Sequence, residues 1–339
     1  MSTIACAFSR QPEIEWNPDL HAFLCALEVD SSLFQPEQLR ERLIALDDLD
    51  ARFGGFDSED SEDSTTCPDA PIHKRAQALR SRLEAANAEL YHSVRSEIVR
   101  GAQPRALLHW LQDSESRNES KSPLPGLGFD CRDELLSGVL QLREPGEPDL
   151  QRSPEMEPYQ PTPVRHILHL IAAAALAEED VFVDLGSGLG HVPLLVSMVT
   201  GARSLGIELH AAYVASAQEC AQSLHLSRVR FIPQDARAAD LSSGTVFYLC
   251  SPFHGSILTA VLSALRMEST RRPIKICSLG PCTRTIANES WLKASALPDT
   301  GRITVFDSAE VHSLSHRSTA RTSPGNEGQR QVTASGGQP

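Results

Sequence analysis

The residues most able to do chemistry cluster after a short apolar run beginning at Val181. Asp184 is followed by Gly186, Ser187, Gly188 and Gly190, a carboxylate next to three alternating glycines. Glycine permits positive φ and close backbone approach, so a bulky group is expected against this turn. Glu208 closes a second apolar run 24 residues past Asp184, and a carboxylate there can accept hydrogen bonds from both hydroxyls of a ribose. A third run ends at Asp235 and Ala236, which offer an acceptor for an adenine amino group and a backbone donor to its ring. Taken singly, the glycines are a tight turn and Asp235 a solvated loop acid. In sequence they describe an adenosine site along one edge of a sheet.

The spacing discriminates between cofactors. A dinucleotide fingerprint requires G-x-G-x-x-G, so that a pyrophosphate meets a helix N-terminus. Here the third glycine comes one position early and His191 stands where that glycine would be. S-adenosyl-L-methionine has no phosphate to cradle, and its sulfonium and amino-acid ends carry positive charge that Asp184 can balance. The expected cofactor is therefore S-adenosyl-L-methionine. A fourth run ends in Tyr248-Leu-Cys-Ser-Pro-Phe-His-Gly255, where an acceptor would meet the methyl group. Ser251 can orient a nucleophile, Phe253 can wall the cofactor, and His254 is the nearby base. The competing reading of these residues is a Pro-Phe turn packed on the core. Cys250 is a nucleophile only if its pKa is depressed.

The elements that position these groups follow from periodicity. Apolar runs at 181–185, 204–209, 229–233, 245–250 and 274–279 alternate with helical patterns at 191–200, 211–224 and 256–266, and 302–306 reads as a last, antiparallel edge strand. The expected fold class is α/β, a Rossmann-like parallel sheet covered on both faces. Thr162 and Pro163 suggest a helix start, with Thr as cap and Pro at the first helical position, running to about Ala177. Upstream, 36–50, 73–100, 104–112 and 132–142 have helical spacing. The expected organisation is a helical subdomain over 1–150 with an acidic linker at 57–64 and a polar one at 114–126. A catalytic α/β domain over 151–310 and a disordered tail over 311–339 complete it.

Composition excludes several classes. The chain of 339 residues has 44 acidic and 31 basic side chains, a formal charge of −13, and no dense Lys/Arg cluster to track phosphates. Strong nucleic-acid binding is not expected. The eight cysteines form no C-x-x-C pair and the histidines show no metal spacing, so no metal site and reduced thiols are expected. The longest uncharged apolar run, 167–177, is far below the roughly 20 residues that cross a bilayer, and no signal peptide opens the chain. These features suggest a cytoplasmic location.

Residues 181–280 resemble class I methyltransferases, on Asp-Leu-Gly-Ser-Gly-Leu-Gly and the Gly206-Ile-Glu208 triplet. Within that superfamily the chain is similar to the non-SET histone-lysine methyltransferases of the disruptor-of-telomeric-silencing type. Those proteins place a helical subdomain first and a Tyr-x-x-Thr loop 25 residues before the motif Asp, as Tyr159 and Thr162 stand 25 residues before Asp184. The resemblance implies that Tyr159 and Thr162 form a lid over the methionine end and that His191 replaces a cofactor-holding Gln. It implies protein lysine as one acceptor. Where the family ends its fourth strand in Asn-Asn-Phe, this chain has Cys250, Ser251 and Pro252. The expected function is S-adenosyl-L-methionine-dependent methyl transfer to an acceptor that is a protein or a small molecule. The alternative is a non-catalytic cofactor-binding scaffold or interaction protein.

Overall fold

The computed structural model describes residues 18–53, 70–101, 105–113, 129–146 and 153–309. The linkers at 57–64 and 114–126 and the tail at 311–339 lie outside these residues. Five helices come first: α1 (Pro18–Val29), α2 (Leu39–Phe53), α3 (Ala70–Val99), α4 (Arg105–Asp113) and α5 (Cys131–Leu140). The apolar stripe of α3 buries Ala76, Leu79, Leu83, Leu90, Val94 and Ile98, the three- and four-residue steps that one helix face requires.

The α/β part opens with α6 (Val164–Ala174), β1 (Val181–Leu185), α7 (His191–Thr200), β2 (Arg203–Glu208), α8 (Ala211–Ser223) and β3 (Val229–Pro233). It continues with β4 (Val246–Leu249), α9 (Gly255–Ser269), β5 (Lys275–Ser278), α10 (Cys282–Ala287), β6 (Leu292–Ala294) and β7 (Thr304–Ser308). The seven strands lie in the order β3-β2-β1-β4-β5-β7-β6. Strands β1 to β5 pair in parallel, and β7 pairs antiparallel with both β5 and β6. The sheet reverses its winding between β1 and β4, where a crevice opens at the carboxyl ends of the strands.

Side chains alternate across the sheet. Phe182, Tyr248 and Cys277 face a core formed with α6, α7 and α8, whereas Val183, Phe247 and Ile276 face one formed with α9 and α10. Leu39, Leu90, Val94, Leu135 and Val139 belong to the first of these cores, so α2, α3 and α5 share it with the sheet.

Three local expectations need correction. Strand β7 is not the edge, because the short β6 pairs outside it. Thr162 does not cap α6: Pro163 occupies the cap position without a side-chain bond, and the Val164 N–H donates to Asp133 Oδ1 at 2.7 Å. A carboxylate from α5 has taken the donor that a hydroxyl cap would have used. The helix ends at Ala174, with Ala175 in the left-handed conformation (φ +52°).

Candidate functional site

A cavity of about 980 Å³ lies over the crevice and is lined from β1 to β5 by the turns that follow the strands. Asp184, the last residue but one of β1, is 3% exposed. Burial, and then the charge of Glu208, push its carboxyl well above the ordinary range. Glu208 is also buried, and its two oxygens are held separately: Oε2 accepts from the Gly188 N–H at 2.9 Å and Oε1 from the His210 N–H at 2.8 Å. One carboxylate therefore fastens the glycine turn to the start of the β2–α8 connection. Each oxygen keeps a lone pair for a further donor.

The bulky groups against the glycine turn are the protein's own side chains. A Cβ at Gly188 (φ +51°) would collide with the ring of Tyr159, and one at Gly186 (φ +90°) with Pro252. Gly190, also at positive φ, backs onto Phe231. Only Gly186 and Ser187 of the turn reach the cavity, so Gly188 and Gly190 shape the site without lining it. The Tyr159 hydroxyl lies 3.0 Å from His191 Nδ1. Burial lowers the His191 pKa to about 4, so the ring is neutral at pH 7 and its Nδ1 either accepts from Tyr159 or donates to it. Tyr159 stacks at a tilt on Tyr213 (5.3 Å), and Tyr213 meets His210 edge-on at 5.5 Å. These three rings form one wall.

Thr162 faces the floor, where its hydroxyl lies 3.4 Å from that of Tyr248, a residue with no exposed surface. The Cys250 thiol shares this cluster, and burial pushes its pKa up despite hydrogen bonds from Thr162 and Tyr248, which makes it a poor nucleophile. Asp235 and Ala236 line the far end. Asp235 accepts from Arg237 Nε, Nη2 and backbone N–H, which holds its carboxyl below the ordinary range.

The residues expected at the methyl acceptor separate in space. Ser251 has φ +46°, and its hydroxyl donates to the Leu279 carbonyl at 3.0 Å while accepting from the Cys282 N–H at 2.9 Å. Both roles of the hydroxyl are taken by the turn. Phe253 is 5% exposed, bridges to Met156 and presents one face to the cavity. His254 stands at the rim with its Nε2 3.9 Å from Glu157 and its backbone N–H on the Glu155 carbonyl. Glu155 also caps α9, accepting from the N–H groups of Ser256 and Ile257 at 3.1 Å each and from the Ser256 hydroxyl at 2.7 Å. Sequence reasoning missed Glu155, Tyr248, His210 and Tyr213. Tyr213 carried a local signal, five residues beyond Glu208. Glu155 carried none, because its partners lie about 100 residues away.

The donor set fits an adenosine cofactor with a positive charge. Two carboxyl groups, Asp184 and Glu208, line one cavity and repel each other, and a cation relieves that repulsion. Ser187 Oγ and His210 Nδ1 are buried on the same wall without a partner in the protein. Among the described residues no group of three or more His, Cys, Asp and Glu can hold a metal ion, and no helix is long and apolar enough to cross a membrane.

The family model of the histone methylation protein DOT1 matches residues 156–244, from the Tyr159 loop through β3. This stretch is DOT1-like. The strand order is that of a Rossmann-like sheet, and the matched stretch is similar to a methyltransferase family. The DOT1-like segment is about a quarter of the chain and stops before β4, the strand that leads into the Cys250–Ser251–Pro252 turn. Among solved structures, the chain is similar to an RNA methyltransferase from Salinibacter ruber in complex with S-adenosyl-L-homocysteine. That pair has 26% identity over 44% of this chain and 92% of the other, with a TM-score of 0.34. A SAM-dependent methyltransferase from Geobacter sulfurreducens shares 25% identity over 33% of this chain and 47% of its own, with a TM-score of 0.28. A geranyl diphosphate C-methyltransferase from Streptomyces coelicolor shares 20% over 34% and 44%, with a TM-score of 0.30. This chain thus spans less than half the length of the latter two. Scores of this size leave substrate and mechanism to the chain's own residues. No curated protein matches the chain.

Proposed function

We propose that this protein is an S-adenosyl-L-methionine-dependent methyltransferase. The observation that carries the reading is Glu208, held by two backbone N–H groups with lone pairs to spare, beside buried Asp184 in one cavity. Glu208 would take the ribose hydroxyls, Asp235 and Ala236 the adenine, and Asp184, Ser187, Tyr159 and Thr162 the amino-acid end. His191 would act by fixing Tyr159. When bound, the cofactor supplies an electrophilic methyl group on a positively charged sulfur.

The chain's own contribution is placement. The loop carrying Tyr159 lies across the turn, tied by Glu155 to α9 and through Glu157 N–H to the Pro252 carbonyl at 3.1 Å, beside the floor formed by Tyr248, Cys250 and Thr162. Holding a nucleophile in line within such a pocket can account for roughly 7–11 kcal/mol of barrier without any acid or base. The match to the DOT1 family model, which ends before β4, supports methyl transfer and leaves the acceptor to be identified by experiment.

The reading as a non-catalytic scaffold is favoured by one observation, the fully committed hydroxyl of Ser251. A cell extract incubated with the protein and methyl-labelled cofactor separates the two. We expect label in one fraction of protein or small molecules. Cofactor binding without transfer to any fraction would favour the scaffold.

A further inference from the structure

Helix α9 is not capped by its own cap residue: His254, at the N-cap position, makes no side-chain bond to the first turn. The free N–H groups that open a helix are met instead by Glu155, 101 residues before Ser256 in the chain. The Ser256 and Ile257 N–H groups donate to its two carboxylate oxygens at 3.1 Å each, and the Ser256 hydroxyl donates at 2.7 Å. These bonds, that of the Ser256 hydroxyl first, hold the Glu155 carboxyl below the ordinary range. Gly255 makes room for it, because a Cβ there would meet Glu155 Oε1. Glu155 does not line the cavity, but Ile257 and Leu258 in the turn it caps do, as do Met156 and Glu157 beside it.

The main chain joins the same two segments. The Glu157 N–H donates to the Pro252 carbonyl at 3.1 Å and the His254 N–H to the Glu155 carbonyl at 2.9 Å, on either side of an antiparallel bridge between Met156 and Phe253. Both segments also bear on the glycine turn, where Pro252 packs on Gly186 and the Tyr159 ring on Gly188. Glu155 thus stands between a loop packed on the glycine turn and a helix that walls the same cavity. A cap serving the helix alone needs only a suitable side chain at position 254. One supplied by the loop makes the start of the helix depend on the loop.

We propose that Glu155 is a positioning residue for methyl transfer, joining the Tyr159 loop to the α9 wall so that cofactor binding fixes that wall for the acceptor. This rests on the cofactor reading proposed above. A cofactor that orders the glycine turn favours the arrangement in which Tyr159 and Pro252 stay packed on it, and Glu155 carries that preference to Ile257 and Leu258. The coupling is reciprocal, so an acceptor lodged against α9 tightens cofactor binding by the same factor. Glu155 contributes geometry and takes no part in proton transfer.

Hydrogen exchange on the full chain, with and without saturating S-adenosyl-L-homocysteine, tests this. The reporter is the Leu258 N–H, which donates to the His254 carbonyl at 3.3 Å and not to Glu155. In wild type we expect slower exchange at Gly188 and His210, whose N–H groups Glu208 holds. We also expect Leu258 to slow by about tenfold, the size of an ordinary coupling between linked sites. A cap that only stabilises α9 would set the Leu258 rate in the free protein without making it answer to the cofactor. Glu155→Gln should keep the Gly188 and His210 responses and reduce that of Leu258 to less than about twofold. Ser256→Ala, which loses only the hydroxyl bond at an exposed position, should give an intermediate response. Absence of S-adenosyl-L-homocysteine binding in calorimetry would overturn the cofactor reading, and this inference with it. Binding that slows Gly188 and His210 but leaves Leu258 unchanged in wild type would overturn the role of Glu155 alone. So would a Leu258 response of wild-type size in Glu155→Gln or, should that variant not fold, in Ser256→Ala.

Discussion

Replacing Glu208 by Gln tests the cofactor site with the least change of shape. The wild-type carboxylate accepts from the Gly188 and His210 N–H groups at 2.9 and 2.8 Å, and it is 7% exposed. An amide has one acceptor oxygen and one donor nitrogen, so one of the two backbone donors must face an NH₂ group. Leaving a buried donor unsatisfied costs about 1–3 kcal/mol. At about 2–4 °C per kcal/mol for a domain of this size, Tm should fall by roughly 2–12 °C. Affinity should fall separately, because hydrogen bonds from ribose hydroxyls to a charged acceptor are worth about 1.5–3 kcal/mol. At 1.4 kcal/mol per decade, this predicts roughly 10- to 150-fold weaker binding of S-adenosyl-L-homocysteine. Calorimetry below the melting range measures affinity, and scanning fluorimetry of the same preparation measures stability. If the variant melts lower yet binds within about twofold of wild type, Glu208 is only the fastener of the turn and the ribose assignment fails.

Gly188→Val places a β-branched side chain at φ +51° and against the Tyr159 ring, which costs about 1–3 kcal/mol in backbone strain before the collision is counted. We expect lost cofactor binding, with the Gly188→Val/Tyr159→Ala double variant regaining stability but not affinity in denaturant titrations and calorimetry. Retained affinity in the single variant would contradict the packing of Tyr159 on the turn. The Asp184 carboxyl is pushed above the ordinary 3.8, so its contribution to stability is intact below that pH and lost as pH rises through the raised value. Asp184→Asn should therefore melt higher than wild type at pH 8 but not at pH 3.5, and should lose cofactor binding; a lower Tm at pH 8 would refute this. His191 titrates the other way. With a folded value near 4 against an ordinary 6.5, its contribution is present above 6.5 and is lost as pH falls through 4, an effect of up to about 3 kcal/mol. His191→Gln should flatten the urea-midpoint profile between pH 7 and 4.5, and an unchanged slope would show that the ring is not buried neutral.

The cofactor half was legible because its signals are local. The buried strand β1 is an unbroken apolar run apart from Asp184, as a central parallel strand covered on both faces requires, and Glu208 and Asp235 stand at or just past the ends of β2 and β3. The acceptor half was not, because one turn sends three successive functional candidates to three environments. Positive φ at Ser251 rotates its hydroxyl into the Leu279 and Cys282 backbone, Phe253 packs inward against Met156, and His254 emerges at the rim. No spacing rule distinguishes them. The six residues of α10 and the three of β6 are too short for a periodic pattern to register. Thr162 shows tertiary structure overriding a local preference, since its hydroxyl faces Tyr248 while Asp133 serves the helix start.

Asp133 also explains why the helices before the sheet matter to the cavity. Its Oδ2 accepts from the Asp130 N–H at 2.7 Å, closing the capping box of α5, while its Oδ1 accepts from Val164 at the start of α6. Both bonds favour the ionised carboxylate, yet burial outweighs them and pushes its pKa up. One partly buried side chain thus joins the helical segment to the residue two positions beyond Thr162. The loop from Ser153 to Pro163 is tied at its start by Glu155 to α9, in its middle by Tyr159 to the glycine turn, and at its end by this carboxylate. Ordering eleven backbone residues costs on the order of 10–20 kcal/mol, which a loop anchored only to the sheet would have to recover from far fewer contacts. The sequence changes character near residue 150, but the packing does not: Leu90, Val94 and Leu135 lie in the same core as Val164, Ile167 and Tyr248. Helices α2, α3 and α5 are accordingly the outer wall against which the loop from Ser153 to Pro163 is held.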